Sequence, residues 1–334
     1  MLGAIIGDIV GSRFEWNNIK TKQFTLLTHE CFFTDDTVMS LAVAKAILES
    51  GSIEKLGDNA VRYMREVGQP YPDCGYGGSF YHWMYSAKPK PYNSFGNGAA
   101  MRVSACGFAA SSVEEAVAMS KAVTEVTHNH PEGLKGAEAV TVALYMARTG
   151  KSSLEIRDYM DHHYSPMNFT LDGIRDAYTF NETCQNTVPQ ALMAFFESVS
   201  FEDAIRNAIS IGGDSDTLAA ITGGIAEAYY GIPETIRKHA LTFLDERLLK
   251  ILNAFEARYG IYIGKENRKT VSEVKDKQIV KEQSPMLDAV AATEKAAHSD
   301  DILAEETSAN QLFNHLYEAC NILRGPIDQD DYKS

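Results

Sequence analysis

Two segments constrain this chain more than any other feature. Residues 34–48, "TDDTVMSLAVAKAIL", and 212–230, "GGDSDTLAAITGGIAEAYY", each open on two aspartates and continue as an apolar run. Their apolar residues cover nearly every side of a helix, and a helix of that kind belongs inside a folded core. Carboxylates at the mouth of such a helix are costly to bury unless something positive joins them. A fold that accepts both segments therefore has a helical core with concentrated negative charge at two helix starts.

The rest of the chain to about residue 260 follows the same period. Gly51 closes the first segment, and Gly231 with Pro233 closes the second, both ordinary helix stops. Residues 113–127, 133–148, 188–197, 201–210 and 234–257 also carry helical spacing, and no convincing strand alternation is present. The pattern predicts a compact, all-α, many-helix domain over residues 1–264. Beyond it the composition turns charged and poor in aromatics, as expected of a linker over 265–308. Residues 271–334 hold 6 basic against 13 acidic side chains, half the net charge of −14, so the domain carries an acidic C-terminal tail. Apolar periodicity returns in a short helical segment at 309–334.

An aspartate at a helix start is most often a cap. Two doubled clusters, each beside a hydroxyl residue and a core helix, favour a shared metal site instead. Carboxylate and hydroxyl oxygens are hard ligands suited to Mg²⁺ or Mn²⁺. No thiolate pair or imidazole cluster is on offer for zinc. Gly75–Phe80 and Asn93–Gly107 are glycine-rich; such loops either turn the chain or present N–H groups to a diphosphate. His128 and His130 precede a helix with no third ligand nearby. Glu15 beside Trp16 is either an acid/base group with a raised pKa or an ordinary surface residue.

Composition excludes some classes. With 45% hydrophobic and 23% charged residues among 334, the chain is globular. Its acidity argues against non-specific binding to nucleic acid. No run approaches the roughly 18 apolar residues of a membrane span. Five scattered cysteines without a CxxC pair read as reduced thiols, and the apolar N-terminus lacks a basic leader and carries Asp8, so a cytoplasmic location is expected.

Taken in order, "GAIIGDIVGSRFE", "FTDDTVMSLAVAKAIL", "GYGGSF", "SFGNGAAMRVS", "THNHPEG", "CQNTVPQAL" and "IGGDSDTLAAITGGIAEAYYGIP" resemble the ADP-ribosylglycohydrolase family over about residues 1–260. The resemblance implies an all-α fold and two Mg²⁺ or Mn²⁺ ions. It implies hydrolysis of the bond between ADP-ribose and its acceptor, with an ADP-ribosylated protein or small molecule as substrate and ADP-ribosyl-arginine favoured. By matching motif, Thr34, Asp35, Asp36, Asp214, Asp216 and Thr217 are the implied metal ligands. Glu15, Asp36 and Asp214 are the implied catalytic residues. Gly75 and Gly77, with Ser94, Gly96, Asn97 and Gly98, are implied to cradle the diphosphate, Phe95 to bind substrate beside them, and His128 to lie near bound ADP-ribose. Phe95 stands where some relatives have tyrosine, so stacking is expected to survive without a phenol hydrogen bond.

Residues 312–334 resemble the opening of the N-terminal helical region of type I restriction–modification methyltransferase subunits. No S-adenosylmethionine motif accompanies them, so no methyltransferase activity is expected. Paired aspartates also suit a two-metal phosphohydrolase. A module that binds ADP-ribose without turning it over is the third reading.

Overall fold

A computed structural model describes residues 1–260 of the chain. The linker and the terminal segment expected beyond residue 264 lie outside the described residues. Fourteen α-helices make up the fold and no strand ladder is present among those residues. The first half runs α1 (Leu2–Gly11), α2 (Asp35–Ser50), α3 (Leu56–Gly68), α4 (Gly78–Tyr85), α5 (Ser104–Ala109), α6 (Val113–Thr124) and α7 (Pro131–Arg148). The second runs α8 (Ser153–His163), α9 (Leu171–Ile174), α10 (Cys184–Phe196), α11 (Phe201–Ser210), α12 (Ser215–Tyr230), α13 (Glu234–Leu241) and α14 (Glu246–Tyr259). One isolated bridge joins Gly96 to Thr183. None of the described helices is long and apolar enough to cross a membrane.

The two segments that open on aspartates are α2 and α12, and both lie in the core: every residue from Asp36 to Ala44 and from Ser215 to Ala226 is buried. Against α12 runs α1, whose ten residues are all buried. Their contact is close because of glycine. A methyl group on Gly3 would strike the Gly223 carbonyl oxygen, one on Gly7 the Ala219 carbonyl oxygen, and one on Gly11 would come 2.5 Å from Asp216 Cα. Backbone-to-backbone packing of that kind fixes where Asp216 sits relative to α1. It also explains why α1 is not evident from the sequence: three glycines in ten residues weaken a helical signal, and their spacing of four makes sense only beside a partner.

Other boundaries moved. The single helix expected over 234–257 is two, because residues 242–245 leave the helix and Asp245 caps α14 by accepting from Leu248 N–H at 3.0 Å. The helix expected from 188 begins at Cys184, with Pro189 inside it. Proline lacks the N–H that would reach the Gln185 carbonyl, but the tertiary contacts of Thr187, Val188 and Leu192 hold the helix through it. Cys31, Cys74, Cys106 and Cys184 are free thiols.

Candidate active site

The start of α2 is built around Asp8, a residue of α1. Asp8 is fully buried. Its carboxylate accepts from Thr34 N–H at 2.9 Å, Thr34 Oγ1 at 2.7 Å, Thr37 N–H at 3.1 Å and Thr37 Oγ1. Thr34 in turn caps α2 by accepting from Asp36 N–H at 3.3 Å. Asp8 thus collects the donors that a helix start leaves over and turns Asp35 and Asp36 away from that duty. Burial pushes its carboxyl up to about 6, with the four hydrogen bonds pulling the other way.

The start of α12 is held differently. Gly212 and Gly213 take φ of 67° and 79°, the left-handed region that favours glycine. Asn18 clasps this turn: its Nδ2 donates to the Gly213 carbonyl at 2.8 Å, and Gly213 N–H donates to its Oδ1 at 2.7 Å. Lys20 Nζ donates to the Tyr178 and Ile211 carbonyls, both at 2.6 Å. Asp214 occupies the N-cap position, yet its side chain makes no capping bond. Instead Asn97 Nδ2 donates to Asp214 Oδ2 at 2.7 Å.

The two helix starts meet at a cavity of about 290 Å³. Asp35, Asp36, Asp214, Asp216, Thr217 and Glu15 line it, as do Gly75, Gly77, Ser94, Gly96, Asn97, Gly98 and His128. Thr34 and Phe95 are the two expected site residues outside that lining. Thr34 is the cap of α2 and a partner of Asp8, and Phe95 is 44% exposed with its ring beside that of His130. His130 caps α7 by accepting from Glu132 N–H at 3.1 Å. The glycine loop at Ser94–Ala100 spends much of its backbone internally. Gly96 N–H donates to Ser94 Oγ at 3.1 Å, Asn97 N–H to the Glu182 carbonyl at 2.7 Å, and Ala99 N–H to the Gly96 carbonyl at 3.1 Å. Those N–H groups are spent within the fold.

Charge is concentrated here. Asp36 and Asp216 are held well above the usual carboxylate range by burial and by their acidic neighbours, and Asp35 likewise. Glu15 is pushed up to about 7 by burial and by the charges of Asp214 and Asp8, while a hydrogen bond from the Trp16 side chain pulls it down. Thr217 Oγ1 donates to Asp36 Oδ1 at 3.4 Å across the two clusters. Asp36 Oδ2 and Asp216 Oδ1 are buried without a hydrogen-bond partner. One oxygen each of Glu15, Asp214 and Asp216 lies within 4.8 Å of the others. Buried acceptors left unpaired among like charges are the donor set a hard divalent cation requires.

Further residues belong to the site, four of them with clear parts to play. Asp8 and Asn18 hold the two helix starts; Arg102 and Phe180 line the cavity. Only Asp8 carries a sequence signal, an aspartate in an otherwise apolar helix.

An all-helical core with a carboxylate-lined cleft at two buried helix starts defines the class of protein: an all-α fold built around an acidic centre. The chain belongs to the ADP-ribosylglycohydrolase family, whose model matches residues 1–262, and is a glycosidic-bond hydrolase. It is 26% identical to human ADP-ribosylhydrolase ARH3 over 310 residues, covering 70% of this chain and 85% of that protein. It is 25% identical to the ADP-ribosylarginine hydrolase Tri1 of Pseudomonas putida (strain GB-1), covering 72% and 73%. With the ADP-ribosyl-[dinitrogen reductase] glycohydrolase of Rhodospirillum rubrum it shares 27% identity, covering 60% and 70%. A solved ADP-ribosylglycohydrolase-related protein complex shares the fold, with a TM-score of 0.54 at 22% identity over 78% of this chain and 96% of that one.

Proposed function

We propose that this chain removes ADP-ribose from an arginine side chain by metal-dependent hydrolysis of the glycosidic bond. The observation that carries the reading is the meeting of Asp35–Asp36 and Asp214–Asp216 with two buried, unpartnered carboxylate oxygens. Asp35, Asp36, Asp214, Asp216 and Thr217 would hold Mg²⁺ or Mn²⁺, two ions by the family resemblance. Bound there, the ions supply charge to orient ribose hydroxyls and to lower the pKa of water.

The remaining chemistry falls to the chain. Water adds to the anomeric carbon, the bond to the acceptor nitrogen breaks, and that nitrogen takes up a proton. Glu15, poised near neutrality at the cavity wall, exchanges protons at that bond. The carboxylates of Asp36 and Asp214 face the positive charge that develops on the sugar ring. The start of α4, at Gly77 and Gly78, opens on the same cavity and presents the positive end of a helix to a diphosphate.

Arginine is favoured as acceptor by the rim. Trp16 is 75% exposed and stacks on Phe180 with ring centroids 5.0 Å apart. Phe180 and Glu182 line the cavity beside Glu15. An exposed indole hydrogen-bonded to Glu15 suits a flat guanidinium. Two relatives are named as ADP-ribosylarginine hydrolases. The test is chromatography of the products from arginine-linked and serine-linked substrates. Free ADP-ribose from the arginine substrate is expected. AMP or phosphate would point to a phosphohydrolase, and tight ADP-ribose binding with no product to a binding module.

A further inference from the structure

Arg102 is among the largest fully buried side chains of the described residues, and its hydrogen bonds go to neutral groups. Its Nη2 donates to Thr127 Oγ1 at 2.6 Å and approaches His128 Nδ1 at 3.4 Å. Thr127 Oγ1 lies 2.8 Å from the same Nδ1. A guanidinium only donates, so Thr127 Oγ1 accepts from Arg102 and keeps its own proton to give. Two acceptors are in reach. The Thr124 carbonyl is 3.4 Å away and already receives Thr127 N–H at 3.1 Å and His128 N–H at 2.9 Å. His128 Nδ1 is nearer and faces the guanidinium, where a proton of its own would oppose that charge. Both arguments make Nδ1 an acceptor.

We infer that the Arg102–Thr127 pair fixes His128 as the Nε2–H tautomer, so that the imidazole presents a neutral N–H donor to an anionic oxygen of the bound diphosphate at the glycine loop. Nε2 is where that role needs it: 3.7 Å from the Cβ position of Gly96 and 3.4 Å from that of Gly98. His128 lines the cavity while Thr127 is fully buried and does not. The loop has spent the Gly96 and Asn97 N–H groups internally, so a donor supplied by a side chain fills a gap in the cradle. Burial and the charge of Arg102 also hold the imidazole neutral. Thr127 and Arg102 act through His128 and are positioning residues. The ligand assignment rests on the reading of this cavity as an ADP-ribose site; the tautomer does not.

The full chain labelled with ¹⁵N decides the matter by long-range ¹H–¹⁵N correlation of the imidazoles, with His128 assigned by its loss in His128→Gln. In the wild type without ligand, a protonated Nε2 and an unprotonated Nδ1 are expected at pH 7. A protonated Nδ1 would overturn the inference without any variant being made. Thr127→Val removes the relay at nearly constant volume. It is expected to release the tautomer and to weaken ADP-ribose binding about tenfold, with Thr127→Ser restoring both. An unchanged His128 spectrum in Thr127→Val would also overturn it. Should the wild type show the expected tautomer yet bind no ADP-ribose, the functional reading fails and the diphosphate role with it.

Discussion

Asp8 shows how much one buried side chain can organise. It accepts four hydrogen bonds from Thr34 and Thr37, and asparagine has one oxygen to offer in place of two. Asp8→Asn should therefore leave buried donors unpaired and cost about 3 kcal/mol of stability, measured by urea unfolding. Trp16 makes the opposite case, since it is exposed and lies at the rim. Trp16→Ala should lower kcat/KM for arginine-linked substrate about fivefold, the size of a cation–π contact at an open site. Inhibition by free ADP-ribose should not change, because the product lacks the acceptor. Equal losses in both would place Trp16 on the ADP-ribose side. The paired aspartates could be read from sequence because their chemistry is local: two acids at the mouth of an apolar helix. Asn18 and Arg102 could not, because each acquires its role from a partner 22 to 195 residues away or from burial that no pattern announces, and Asp8 stands out only as an acid in an apolar run until its partner 26 residues on is seen.

Among elements, the contact of α1 with α12 sets the geometry of the site. Asp8 sits in α1 and Asp216 in α12, and the glycines between them let the backbones touch. Gly7→Ala places a methyl group against the Ala219 carbonyl oxygen. It should destabilise the chain by about 3 kcal/mol, seen as a lower denaturant midpoint. Gly51→Ala, where the built Cβ meets nothing within 4 Å but φ is 64°, should cost less, about 1 kcal/mol. Helices with apolar periodicity and ordinary stops, such as α2, α11 and α12, were readable to within a residue or two. Those that depend on a partner were not: α1 is too rich in glycine, and α13 and α14 merge in the sequence because Asp245 resembles any other exposed acid until it is seen capping.

For the whole molecule, the acidic centre links stability to pH and to cations. Asp35, Asp36 and Asp216 are held well above the carboxylate range, and Glu15 is pushed up to about 7. An acid with a raised pKa in the folded state contributes stability that is complete below its unfolded value near 4 and is lost as pH rises through the folded value. The cation-free chain should therefore melt at a lower temperature at pH 8 than at pH 5.5, by about 5 °C. Saturating Mn²⁺ should remove most of that difference, because it replaces protons as the partner of Asp35, Asp36 and Asp216. A melting temperature independent of both pH and Mn²⁺ would mean that the acids do not form one centre.

The most direct measurement uses arginine-ADP-ribosylated protein and the chain stripped of cations. Release of ADP-ribose is followed in EDTA, after Mn²⁺ or Mg²⁺ is restored, and with Asp36→Ala and Asp216→Ala at matched helix content. Metal-dependent hydrolysis at the paired aspartates requires no release in EDTA, release on restoring the cation, and a loss of at least about a hundredfold in either variant. Full-rate release in EDTA, or near-wild-type turnover in either variant, would contradict it.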